Sequence, residues 1–149
     1  VAQRRGVIWY GFALIWMALI YRASATPDLR AVPWAQWLGV LPTVLAPERV
    51  ALVELVLRKS AHMVSFGVLA VLVYGGLATG VAPLRSARLH AIAFSVATLY
   101  AVSDEWHQGF VPTRVASATD VLIDAVGAVV GLVLVSWVRQ RRQLRKAGG

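Results

Sequence analysis

The sequence predicts an all-α integral membrane protein: a four-transmembrane-helix bundle with a short outer interfacial helix, forming one domain over residues 1–149. Three observations predict it. First, 58% of the 149 residues are apolar and only 15% are charged, with a mean hydropathy of +0.66, whereas soluble domains are about 45–50% apolar. Second, uncharged runs occupy 6–21, 60–84, 89–103 and 125–138. A spanning helix needs roughly 17–25 residues, so the shorter runs draw their flanking charges to the interface. Third, the basic residues are segregated. Nine of the fifteen lie in three clusters: Arg4 and Arg5; Arg85 and Arg88; and Arg139, Arg141, Arg142, Arg145 and Lys146. None of the seven acids is among them. That is the positive-inside pattern, and it alternates correctly for four spans.

The first span is expected at about 6–22, closed by Tyr21 and Arg22. Arg4, Arg5 and the small residues Ala23-Ser24-Ala25 also fit a cleaved signal peptide. The aromatic residues Trp9, Tyr10, Trp16 and Tyr21, together with the even span count, favour retention. Next come Pro27, Pro33, Pro42 and Pro47, which exclude a continuous helix. Between Pro33 and Leu41, the residues Trp34, Trp37, Leu38 and Leu41 share one helical face, the pattern of a short helix in the outer headgroup layer. An irregular extracellular loop is the alternative there. Pro47 is well placed to start the next helix, which runs unbroken from Glu48 to Gly75-Gly76, with Glu54 and Arg58 at i,i+4. Such a helix reaches about 42 Å against a hydrocarbon core of roughly 30 Å, so its first turns project outward or tilt and the span itself covers about 58–80.

The third span is expected at about 88–106, its helix continuing through Gln108 until Gly109 breaks it. His90, on the inner side, is read as a packing residue. Ser117-Ala118-Thr119-Asp120 reads as an N-cap with an acid at N3, which gives Asp120 an ordinary helix-start role. The fourth span follows at about 120–138, with Gly127 and Gly131 four apart, the spacing that lets membrane helices approach closely. A basic cytoplasmic tail covers 139–149. Both termini are therefore expected in the cytoplasm and the 103–120 loop outside. The net charge of +8 is assigned by this distribution to anionic lipid headgroups, with no nucleic-acid partner. The absence of cysteine excludes disulfides and thiolate metal sites.

The chain's polar residues concentrate between Ser103 and Gly131, which holds four of the seven acids. Charges at a membrane normally face partners or a water-filled cavity, since one at the bilayer centre costs about 2.5–3.5 kcal/mol on insertion scales. Lys59, His62 and Phe66 share a helical face at the mouth of the second span, at the level of Asp104, Glu105 and Asp124. Asp104 and Gln108 share another face. Lys59, His62, Asp104, Glu105, Gln108, Arg114, Asp120 and Asp124 are thus predicted to line one outward-facing pocket. Set against this is a plainer reading, in which His62 is a packing residue and the charges form an ion-pair network that only pins helices together.

At these residues the chain resembles the VanZ-like family of small bacterial membrane proteins. The resemblance rests on Lys59-x-x-His62 with Phe66, then on Asp104-Glu105-x-x-Gln108-x-Phe110, Arg114, Ser117-x-x-Asp120, Gly127 and Gly131, covering about half the chain. Two departures stand out. Pro112-Thr113-Arg114 replaces a common Pro-Gly-Arg, and Asp124 stands where an asparagine is common. The resemblance implies an outer-surface role in the cell envelope, in the bacterial plasma membrane, with an association to teicoplanin-type antibiotic resistance.

Three functions follow as expectations. One is non-enzymatic binding of a membrane lipid, a lipid-linked envelope component or a glycopeptide-type ligand, with Lys59 and Arg114 against a phosphate or carboxylate. Another is an acid–base enzyme on an envelope lipid, with His62 or His107 as base and Asp104 or Glu105 orienting it or acting as acid. The third is a small proton-coupled transporter, although four helices without an internal repeat are few for that. No G-x-S-x-G and no H-E-x-x-H occurs, and neither a cofactor nor a resident metal is expected.

Overall fold

The computed structural model describes residues 2–25, 47–80, 86–112 and 114–147. They form four helices: α1 (Ala2–Ser24), α2 (Pro47–Gly80), α3 (Ser86–Gln108) and α4 (Ala118–Ala147), with no strand among the described residues. Three helices are long and apolar enough to cross a membrane, through Gly6–Ser24, Leu52–Thr79 and Ala118–Ala147. The third expected span, in α3, has the length, since 23 residues rise about 35 Å. Arg88, His90, Asp104 and Glu105 dilute its apolar content. The expected interfacial helix between Pro33 and Leu41 lies outside the described residues.

Side-chain contacts fix how the helices run. Trp16 Nε1 donates to the Ser65 carbonyl at 2.9 Å, while Trp9 and Tyr10 lie against Gly75 and Gly76, so α1 and α2 are antiparallel. The Gly75-Gly76 pair therefore does not end α2, as its sequence suggests. A Cβ at either position would fall 2.6–2.7 Å from those rings, and the glycines serve close packing instead. Helices α2 and α3 are also antiparallel, with Phe66 against Tyr100 at 6.1 Å between ring centroids and Tyr74 against His90 at 4.6 Å. Helices α2 and α4 run parallel. Lys59 pairs with Asp120, Gly67 packs on Gly131, and Arg139 donates to the Tyr74 hydroxyl at 2.8 Å.

Helix α2 is the central element, touching all three others, whereas α1 and α4 do not meet among the described residues. The interior combines large side chains of α2, such as Phe66, Leu69 and Tyr74, with small residues of the helices around it. Ala93, Ala97 and Ala101 recur every fourth residue along α3 and are buried, as are Ala128 and Gly127 on α4. Large apolar side chains such as Leu14, Leu99 and Val133 face outward. Small residues at helix contacts and large apolar ones outside are how helices pack in lipid, where no hydrophobic drive separates inside from outside. The molecule is a helical membrane protein. Its alternating order places Arg88 and the basic end of α4 at one end of the bundle and the acidic cluster at the other.

Candidate functional site

At the end of α3, the alanine stripe gives way to Asp104, Glu105 and Gln108, all buried. The Asp104 carboxylate is only 2% exposed. Its Oδ2 accepts from Ser24 Oγ at 2.8 Å and from Gln108 Nε2 at 3.0 Å. Arg114 Nη1 in turn donates to Gln108 Oε1 at 2.9 Å. One chain of bonds therefore ties the end of α1, the last turn of α3 and the loop before α4. Across from it, His62 Nδ1 lies 4.0 Å from Asp104 Oδ2 and 3.7 Å from Asp124 Oδ2, so the imidazole sits between two buried carboxylates.

The start of α4 shows how the sequence is used. Ser117 is the N-cap residue, its carbonyl accepting from the Asp120 and Val121 amides at 3.0 and 3.4 Å. In a capping box, the acid at N3 reaches back to the N-cap amide. Here Glu105 Oε1 from α3 takes that amide, accepting from Ser117 N–H at 2.6 Å. Asp120 is thereby released, and it forms an ion pair with Lys59 on α2. Asp120 keeps its place in the first turn of α4, while the capping contact to the Ser117 amide is made by a residue on another helix.

These side chains surround a cavity of about 210 Å³ lined by Arg58, Lys59, His62, Glu105, Gln108, Arg114, Asp120 and Asp124, with Val115 and Ile123 as its apolar wall. Seven of the eight predicted pocket residues line it, and Asp104 stands behind His62 and Gln108 as their common partner. His107, named above as an alternative base, is not brought to the cavity. Its ring stacks on Tyr21 at 4.2 Å between centroids. A smaller space of about 100 Å³ adjoins on the α1 side and shares Arg58, His62 and Arg114.

The cavity's charges are mixed, with three cations against Glu105, Asp120 and Asp124. Burial, reinforced by neighbouring Arg58, pulls the Arg114 guanidinium below its ordinary pKa, while Asp104 and Glu105 pull the other way. An arginine stays protonated under any such shift in practice. Asp104 Oδ1 and Asp124 Oδ1 are both buried without a hydrogen-bond partner among the described residues, and of these two residues only Asp124 lines the cavity. No group of three His, Asp or Glu side chains able to hold a metal ion forms among the described residues.

Ser24 and Arg58 are the residues sequence reasoning did not place here. Ser24 sits in a small-residue triplet with no local polar signal, and its partner is 80 positions away. Spacing alone pairs Arg58 with Glu54. Its adjacency to Lys59 and its place one turn before His62 were the available signal.

No curated protein and no solved structure matches the chain. A family model described as VanZ/LLP1 matches residues 7–139, from the first apolar helix to the start of the basic tail, and the chain belongs to that family.

Proposed function

We propose that the protein binds the anionic headgroup of a lipid or lipid-linked envelope component in this cavity, at the outer face of the plasma membrane, without transforming it. The observation that carries this reading is the gathering of Arg58, Lys59 and Arg114 around one water-accessible space beside the unsatisfied Asp124 oxygen. Cations suit a phosphate or carboxylate, guanidinium forks especially so. A buried acceptor suits a hydroxyl or amine on the same headgroup. At about 210 Å³, the cavity is below the roughly 300–1,000 Å³ of drug-sized pockets. That size fits a headgroup and not an entire glycopeptide. Any link to antibiotic resistance would then run through the envelope lipid.

The proposed orientation follows from charge. All four helices span, both termini are cytoplasmic, and the basic end of the bundle faces the cytoplasm. Single cysteines at Val115 and Leu144, both well exposed, test it in intact cells with a membrane-impermeant thiol reagent. Position 115 is expected to label and position 144 is not. The reverse pattern inverts the topology and ends the outer-face reading.

Binding is tested with glycerol phosphate on the purified protein, read by ³¹P NMR. Wild type is expected to bind, Arg58→Ala to weaken binding about tenfold, equivalent to ~1.4 kcal/mol, and Arg145→Ala to leave it unchanged. Equal binding by all three sinks the assignment.

A second reading, acid–base chemistry on the same lipid, is favoured by one observation. His62 Nδ1 faces two carboxylates, which leaves Nε2 as the ring's free proton acceptor, the orientation a general base requires. The same spectra discriminate. Release of inorganic phosphate from an alkyl phosphate, lost in His62→Ala, supports catalysis, and a ligand signal that shifts or broadens with no inorganic phosphate appearing supports binding.

A further inference from the structure

Beside the cavity, a second space of about 430 Å³ runs down the α2–α4 seam, walled by Met63, Gly67 and Val71 on one side and Gly127, Val130 and Leu134 on the other. Its lining residues are all apolar, and at its floor Gly67, Gly127 and Gly131 bring the two helix backbones into direct contact. Helical periodicity connects it to the cavity. On α2, Lys59, Met63, Gly67 and Val71 recur every fourth residue. On α4, Asp120, Ile123, Gly127, Val130 and Leu134 recur every third or fourth. Residues so spaced lie one above another on a helix face. Each stripe thus begins at a cavity-lining residue and ends in the groove, and the Lys59–Asp120 ion pair marks the join.

Depth is the second argument. From 63 to 71 along α2 the rise is about 12 Å, and from 127 to 138 along α4 about 16 Å. The hydrocarbon core is roughly 30 Å thick, so the groove reaches about one leaflet below the cavity. Because α2 and α4 run parallel, both walls descend together from the polar end.

We propose that this groove holds the hydrocarbon chain of the ligand whose anionic head occupies the cavity, making the ligand class a membrane amphiphile that enters sideways from the outer leaflet. The proposal rests on the headgroup reading above. Annular lipid touches any apolar helix face. Here a chain in the groove carries its head to Lys59 and Arg58, and that link between head and chain separates a site from a solvated surface.

The test uses the full-length protein in nanodiscs of phosphatidylcholine with dodecyl phosphate carrying a mid-chain diazirine. After photolysis, adducts are mapped by mass spectrometry. Labelling is expected to concentrate on 63–71 and 127–138, about fivefold over Leu14, Ile15 and Leu19 on the lipid-exposed face of α1, a ratio equivalent to roughly 1 kcal/mol of preference. Val68→Trp, which fills the groove, is expected to abolish that excess while glycerol phosphate still binds. Val71→Phe serves if the first variant does not fold. Uniform labelling, or an excess that survives both substitutions, overturns the groove. If glycerol phosphate still binds in that case, the cavity reading stands. If wild type binds neither probe, both fall together.

Discussion

Gly127→Ala is expected to destabilise the protein by about 3 kcal/mol, the upper end of the penalty for overpacking a filled interior. The reason lies in what the new methyl would meet. A Cβ built on Gly127 overlaps the Met63 carbonyl and comes 2.7 Å from its carbon, and these are backbone atoms of α2. A flexible side chain could swing aside; a helix backbone moves only as a unit. Moving α2 away from α4 would also open the Lys59–Asp120 pair and carry His62 from Asp124, so headgroup binding should fall with stability. Gly11→Ala is the control, because nothing lies within 4 Å of its Cβ position. Alanine is also the better helix former there. Unfolding in mixed detergent micelles, followed by circular dichroism, measures both. Gly127→Ala unfolding together with wild type would mean that α2 and α4 do not cross at this point.

Gly127 also shows what could be read without coordinates. Spacings of three and four are local, so the Gly127–Gly131 face, the Lys59–His62 face and the Asp104–Gln108 face were all legible in the sequence. The polarity of the bundle follows from charge segregation, a one-dimensional property. What spacing cannot supply is which face meets which. Gly67 on α2, the partner surface for Gly127 and Gly131, is a lone glycine in an apolar run and carries no pairing signal. The exchange at the start of α4 was hidden for the same reason. Ser117 and Asp120 have the local form of a capping box, and only the arrival of Glu105 from another helix shows that Asp120 is free to hold Lys59. Ser24 illustrates the limit: one small hydroxyl among alanines becomes the donor to a buried carboxylate only once α1 and α3 lie side by side. His107 illustrates the converse, since its place between Asp104 and Phe110 suggests the cavity, and the turn of α3 directs its ring to Tyr21.

Asp104 and Asp124 then separate a framework from a site: both face His62 and both leave Oδ1 without a hydrogen-bond partner among the described residues, and they differ in their other contacts. Asp104 accepts from Ser24 and from Gln108 and does not line the cavity. Asp124 lines the cavity, with His62 Nδ1 opposite it at 3.7 Å. Asp104→Ala strips the acceptor from a buried hydroxyl and a buried amide and leaves His62 with one carboxylate. Breaking a buried charged cluster in this way typically costs about 3–5 kcal/mol. Asp104→Asn retains an oxygen for Ser24 and should recover about half of that loss, since a neutral acceptor bonds roughly half as strongly as a charged one. Asp124→Ala removes fewer bonds, so its stability loss should be the smaller, within about 2 kcal/mol. Binding should show the opposite order. Asp124→Ala is expected to lose binding of a hydroxyl-bearing headgroup probe such as glycerol phosphate, and folded Asp104→Asn to keep most of it. The two readouts, detergent unfolding and ³¹P titration, need not move together, and that is what gives the comparison its force. If both aspartates cost stability alike and neither affects binding, the cluster only pins α1, α2, α3 and α4 together. If they separate as expected, the chain has placed one carboxylate to hold its helices and the other to meet a ligand.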